Sequence, residues 1–249
     1  MHRVSTKPLP MLVDIFIPCF VDQLFPNTAF NMIKVLERAG CTVNYNPAQT
    51  CCGQPAFNAG FWDQCKEVAE KFIGDFSNER YIVTPSASCA GMIKNYYPEI
   101  FHNSIHHNKA KNLQKNIFEF SNFLVNVLNV TDVGARLDGI ATYHDSCSAL
   151  REMGIKKEPR TLLSNVRGLQ LKEMEDTETC CGFGGTFSVK YEAIAVGMAE
   201  QKIIHAEKTE ARILISTDIS CLMHLDGYMK KQNKKMKIMH IADVLASGW

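Results

Sequence analysis

The chain carries one cysteine pattern twice. Cys19, Cys51, Cys52, Gly53 and Cys89 recur as Cys147, Cys180, Cys181, Gly182 and Cys221, at intervals of 128, 129, 129, 129 and 132 residues. An interval this nearly constant over five positions implies two copies of one structural unit, so any fold proposed for the first half must also suit the second. Of the ten cysteines, only Cys41 and Cys65 lie outside the pattern; their counterparts at the middle interval are Gln170 and Ile194. Both are expected to pack as small buried hydrophobes.

The repeat extends beyond sulfur. "IFEFSNFLVNVL" (Ile117 to Leu128) resembles "IMHIADVLASGW" (Ile238 to Trp249), and the helical spacing of their apolar residues predicts a terminal helix closing each half. The lobes are placed at residues 1–137 and 138–249. Their repeated cores run from Met11 to Thr131 and from Asp138 to Trp249, with "DVGARL" between them. Short strand-like runs alternate with helical patterns in each half. "LVDIFIP", "CTVNYN" and "RYIVTP" correspond to "GIATYH", "LQLKEM" and "RILIST". "NTAFNMIKVLERAG" reads as an amphipathic helix with Asn27 at its N-cap and a terminal glycine, and "TFSVKYEAIAVGMAEQKIIHAEK" as another. This alternation predicts an α/β protein of two pseudo-symmetric, doubly wound lobes, each a small parallel sheet flanked by helices.

Composition narrows the function. A net charge of +1, with 46% hydrophobic and 21% charged residues, gives no electrostatic argument for nucleic acid or an anionic membrane. The apolar run from Met11 to Phe20 is interrupted by Asp14 and Pro18. It is too short to span a bilayer, lacks a signal-like cleavage site and reads as a buried strand. The expected compartment is cytoplasmic, where the cysteines stay reduced and serve metal binding, catalysis or burial.

Each patterned cysteine follows the carboxyl end of a predicted strand, where the loops of an open parallel sheet converge on a ligand crevice. Cys19, Cys51, Cys52 and Cys89 are therefore expected to meet in one lobe, and Cys147, Cys180, Cys181 and Cys221 in the other. Four soft thiolates suit an iron-sulfur cluster or zinc. The spacing favours the cluster: no second Cys-x2-4-Cys knuckle accompanies the adjacent pair, and neighbouring thiolates reach different irons of a bulky cluster more readily than one small ion. Gly53 and Gly182 would let the backbone approach and turn N–H groups toward sulfide.

"C...CCGQPA...SASC" and "C...CCGFGGTFSVK...DISC" resemble the duplicated cysteine-rich CCG domain found in heterodisulfide reductase and in glycolate oxidase iron-sulfur subunits. The chain is similar, from Asp14 to its last residue, to the lactate utilization protein A family, including "YHDSC", "NVRGL", "TCCGFGGTFSVK" and "MHIADVL". That resemblance implies a cytoplasmic iron-sulfur, electron-transferring oxidoreductase component. It would work with two sister subunits to oxidise L-lactate, a small 2-hydroxy acid, to pyruvate. The heterodisulfide reductase motif ends in Cys-x-x-Cys, whereas Ser86 and Asp218 stand at the first of those positions here. An ordinary [4Fe-4S] cluster, in one lobe or both, is then expected, with Ser86 and Asp218 as oxygen ligands or hydrogen-bonding partners. The alternatives are a zinc-binding or metal-free scaffold and a thiol-disulfide reductase component. No catalytic residue is assigned.

Other features carry blander readings. "GFGGT" lacks the G-x-G-x-x-G order and a P-loop lysine, which favours close packing over nucleotide binding. His144 reads as a hydrogen-bonded structural residue or a proton donor near the site. His102, His106 and His107 read as solvated loop residues. Lys230, Lys231, Lys234, Lys235 and Lys237 mark a solvated helix end with some capacity to steer an acidic partner. Met92, Met198 and Met223 read as core filler.

Overall fold

A computed structural model describes residues 10–249. Residues 1–9, with which the expected first lobe of residues 1–137 opens, lie outside the described residues. The chain forms two four-stranded parallel sheets flanked by helices, giving two α/β lobes. The first holds β1 (Met11–Ile15), β2 (Cys41–Tyr45), β3 (Ile82–Thr84) and β4 (Ile117–Glu119), in the order β2-β1-β3-β4. The second holds β5 (Arg136–Tyr143), β6 (Arg167–Leu171), β7 (Ile213–Ser216) and β8 (Lys237–His240), in the order β6-β5-β7-β8. The two orders are the same.

The predicted first strand is shorter than the apolar run that suggested it. Pairing stops at Ile15, and Cys19 already opens helix α1 (Cys19–Leu24). Helix α2 (Pro26–Arg38) buries Thr28, Ala29, Met32, Val35 and Leu36 along one stripe. It starts one residue before the predicted Asn27 cap, because Pro26 has a pre-set φ and no N–H to satisfy in a first turn. Gly40, at φ +94°, ends that turn in the left-handed region.

The other helices used below are α3 (Trp62–Asp75), α4 (Ala87–Gly91), α5 (Glu192–Glu207), α6 (Ile219–Lys231) and α7 (Ile241–Leu245). The long helix expected from "TFSVKYEA" breaks at Tyr191, where φ −130° and ψ 51° separate Phe187–Lys190 from α5. The closing segments begin as strands, not helices. Ile117–Glu119 and Lys237–His240 extend their sheets, and only then do Phe120–Asn122 and α7 turn helical. Backbone pairing with the neighbouring strand overrides local helical spacing in these edge segments.

The lobes share a core. One apolar cluster joins Val13, Ile15, Met32 and Phe123 of the first half to Tyr143, Leu163, Ile215 and Leu245 of the second. A second cluster, around Phe16, Phe72, Ile82 and Tyr97, lies within the first lobe. Polar contacts fix how the halves meet. Thr28 Oγ1 and Asn31 Nδ2 of α2 donate to the two oxygens of Asp243 on α7 at 3.0 and 2.9 Å, and the Arg38 guanidinium lies 4.3 Å from the centre of the Trp249 ring. Ser86 and Asp218, equivalent positions of the repeat, form an antiparallel bridge with each other, which places the pseudo-twofold axis between them. Among the described residues no helix is long and apolar enough to cross a membrane.

Asp243→Ala removes both acceptors beneath α2 and strands their donors. It is expected to lower unfolding free energy by about 1–3 kcal/mol in urea titration.

Candidate metal centres

β1 and β3 lie side by side while their outgoing chains run to opposite ends of the sheet, so the crevice between them is a topological switch point. Cys19 begins α1 after β1, and Cys89 sits in α4 after β3. The Cys51–Cys52 loop leaves β2 beside them. In the second lobe Cys147 follows β5, Cys180 and Cys181 follow β6, and Cys221 lies in the first turn of α6 after β7.

The structure brings both sets of sulfur together. Cys19 contacts Cys51, Cys51 contacts Cys52, and Cys52 meets Cys89 with their Sγ atoms 3.4 Å apart. Cys147, Cys180, Cys181 and Cys221 form the corresponding chain. Cys52, Cys89, Cys181 and Cys221 are buried, Cys51, Cys147 and Cys180 half-buried, and Cys19 exposed. Each group is thus sealed at its base and reachable from solvent at its mouth.

Each group holds one strongly poised thiolate, and in the second lobe contact with Cys181, then with His144, also brings Cys221 down to about 7. The Cys19 thiol, then the Cys52 thiol and the Gly53 amide, pull Cys51 down to about 3. Cys147, Cys181 and the Gly182 amide pull Cys180 down to about 2. The amides donate at 3.3 Å to Cys51 Sγ and 3.4 Å to Cys180 Sγ. Contact with these thiolates, followed by burial, pushes Cys19 and Cys147 up. Cys52 and Cys181 are pushed up in the same way. One thiolate solvated by the S–H groups around it leaves a set of protons that a cationic centre displaces on binding. The donor set therefore fits an inorganic group held by soft sulfur.

The two glycines are required by backbone shape. Gly53 has φ +82°, and a Cβ there would stand 3.1 Å from the buried Cys65 sulfur. Gly182 has φ +94°, and its Cβ would stand 2.6 Å from the Ala195 carbonyl oxygen on α5. Their amides point at the sulfurs two residues earlier, Cys51 and Cys180.

Ser86 and Asp218 occupy helix entrances at the lobe junction. Ser86 Oγ accepts from the Cys89 amide at 3.3 Å and lies 3.1 Å from Ser88 Oγ. The Asp218 carboxylate accepts from the Ser88 amide at 2.9 Å across the junction and from Ser220 Oγ at 2.7 Å on its own side. Cys41 is buried apart from the sulfur chains as a packing residue, whereas Cys65 is buried beside the first chain, packed under Gly53. "GFGGT" forms a turn, with Phe183 stacked edge-on against Phe20 of the other lobe at 5.9 Å. Lys230 pairs with Asp226 and Lys234 with Glu207, so part of the lysine cluster is neutralised within the chain.

The structure reveals several groups that sequence spacing does not. His144 is fully buried against the Cys181 and Cys221 sulfurs, and no oxygen or nitrogen atom partners either of its ring nitrogens. Arg160 holds the buried Asp145 through a fork of 2.9 and 2.8 Å and lies over the Tyr143 ring. Lys202, 1% exposed, donates from α5 to the carbonyls of Asp176 and Thr177 and so pins the loop that leads into Cys180. Glu119, fully buried at the end of β4, accepts from Ser121 Oγ and the Asn122 amide through one oxygen while the other is unpartnered. Burial, assisted by the Asp218 charge, raises Glu119 from 4.5 to about 7.

The fold and sulfur geometry define a duplicated cysteine-rich protein of the CCG class, and the CCG cysteine-rich domain profile matches residues 13–94 and 141–226. Lactate utilization protein A of Geobacillus sp. (strain WCH70) is 45% identical over 238 residues, covering 95% of this chain and all of that protein. Lactate utilization protein A 2 of Bacillus cereus (strain AH820) is 42% identical over 239 residues, covering 96% and 99%. The chain belongs to the lactate utilization protein A family. A crystal structure of a hypothetical protein from Helicobacter pylori shares the fold at a TM-score of 0.59 and 11% identity, covering 96% of this chain and 49% of that one.

Two outcomes follow from the local geometry. Gly182→Ala, strained in φ and blocked by the Ala195 carbonyl, should destabilise the protein by about 1–3 kcal/mol in denaturant titration. Glu119 has a folded pKa above its unfolded one, so the native state holds the extra proton between about 4.5 and about 7 and stability falls as pH rises through that window. Glu119→Gln should abolish that fall, worth about 3 kcal/mol at pH 8, when metal-free protein is melted across pH 4 to 8.

Proposed function

We propose that this chain is an iron-sulfur electron-transfer component of a system that oxidises L-lactate to pyruvate. It would act in the cytoplasm with sister iron-sulfur and lactate-utilization subunits. The observation that carries the reading is the convergence of two four-cysteine groups at equivalent switch-point crevices, in a chain whose relatives are named for lactate utilization. Cys19, Cys51, Cys52 and Cys89 hold one [4Fe-4S] cluster in the lobe ending near residue 137. Cys147, Cys180, Cys181 and Cys221 hold another in the lobe that follows. Bound there, the clusters supply one-electron chemistry.

The spread of each four-cysteine set favours a cluster over one zinc ion held by all four sulfurs. Zn–S bonds of about 2.3 Å in a tetrahedron place every pair of ligand sulfurs about 3.8 Å apart. Among the described residues, the metal-ligating group whose donor atoms all lie within 4.8 Å of one another is His144, Cys181 and Cys221, and neither four-cysteine set is that compact. The protein's own groups would do the rest. Cys51 and Cys180 offer preformed thiolates, and Gly53 and Gly182 donate N–H to them. Asp218 and Ser86 hold the two cysteine-bearing helices in register across the junction. Cys19 at the mouth of its crevice leaves a route for exchange with a partner.

The 3.4 Å approach of Cys52 to Cys89 favours a second reading, a dithiol that cycles with a disulfide substrate. Anaerobic purification separates the two. Iron with acid-labile sulfide and a broad visible absorbance supports the clusters, whereas a metal-free, redox-active dithiol supports the second reading and a colourless zinc protein defeats both. Cys181→Ala should remove roughly half of the iron and sulfide, while Cys41→Ala should leave both unchanged; equal metal content in the two variants would rule out the ligand assignment.

A further inference from the structure

The repeat is broken at two positions that face the sulfur groups. At the interval that relates Cys19 to Cys147, His144 replaces Phe16; at the interval that relates Cys52 to Cys181, Lys202 replaces Ile73. Phe16 sits in an aromatic cluster, edge-on to Phe72 at 4.9 Å and to Phe76 at 6.0 Å, and Ile73 belongs to the same apolar layer. The first-lobe cysteines are therefore backed by hydrocarbon. The second-lobe cysteines are backed by an imidazole and a buried ammonium group.

His144 is the more telling of the two. Its ring is fully buried, and no oxygen or nitrogen atom partners either ring nitrogen; the polar atoms it meets are the Cys181 and Cys221 sulfurs. Leaving such groups unsatisfied costs about 1–3 kcal/mol each unless something not made of protein takes them up. Its donor atom lies within 4.8 Å of Cys181 Sγ and Cys221 Sγ, closer together than any all-sulfur trio in either lobe. Lys202 is satisfied by loop carbonyls, so it fixes the loop and does not compete for the site.

We propose that His144 is a nitrogen ligand of the inorganic centre in the second lobe, which makes that centre a mixed sulfur and nitrogen site while the first lobe is all sulfur. The assignment rests on the iron-sulfur reading above. It also accounts for one of the two ring nitrogens, because the nitrogen that bonds the metal no longer needs a hydrogen-bond partner. A neutral fifth donor beside the four thiolates leaves the charge of the second centre unchanged but alters the ligand field at one iron, so the two centres are inequivalent in electronic structure despite the duplicated fold.

The test uses the full chain, produced with isotope-labelled histidine, loaded anaerobically with ferrous iron and sulfide, and reduced. Pulsed EPR should then show a strongly coupled nitrogen whose frequency moves with the label. His144→Phe, which installs the residue used by the first lobe, should lose that coupling, and far-ultraviolet circular dichroism checks that the variant is folded. The assignment is overturned if unsubstituted protein carries the Cys181-dependent share of iron and sulfide yet shows no histidine coupling, a measurement that needs no variant at position 144. It is also overturned if His144→Phe keeps the coupling. Failure to take up iron and sulfide in either lobe would instead defeat the iron-sulfur reading itself, and this assignment with it.

Discussion

Sulfur atoms some seventy residues apart in sequence meet because every strand of each sheet points the same way. Parallel strands deliver all their outgoing loops to one edge, and a strand order that reverses direction after β1 opens a crevice there instead of a packed seam. Cys19, the Cys51–Cys52 loop and Cys89 each lie a few residues past a strand end. An antiparallel sheet would have sent half of them to the opposite edge. The low-lying thiolates at Cys51 and Cys180 follow from this crowding, since a thiolate surrounded by S–H donors and a glycine amide is well solvated even where water is scarce.

Duplication sets the frame, and departures from it carry the differences between the halves. The apolar cluster runs through both lobes, so neither half has a complete surface of its own. The sites it supports share sulfur positions and glycine geometry but not surroundings: Phe16 and Ile73 on one side, His144 and Lys202 on the other. Family membership rests on the whole chain, because the relatives match along nearly their full length, while the chemistry rests on these few positions.

Much of this is legible in the residues. The repeated interval locates the thiols, and strand-helix alternation gives the parallel sheets, because both are patterns along the chain. The edge strands are not legible. Ile117 and Phe120, or Ile238 and Ile241, carry helical spacing, and only the neighbouring strand makes their first residues extended. The break at Tyr191 has neither glycine nor proline to announce it. The buried polar layer is invisible for a different reason. Glu119, Asp218 and Tyr143 lie far apart in sequence and become neighbours only when one lobe closes on the other. His144 stands out in the sequence by its place near Cys147, but its want of an oxygen or nitrogen partner is a property of the folded interior.

The bridge between Ser86 and Asp218 has a consequence for how such a molecule can be assembled. In two identical polypeptides related by a true twofold axis, a residue at this position faces its own copy. Two aspartates would then bring like charges together in a dry interior, and two serines would offer the opposing amide no anion. Joining the halves in one polypeptide lifts that restriction, so a hydroxyl on one side can face a carboxylate on the other, and Asp218 can receive the Ser88 amide without an opposing charge.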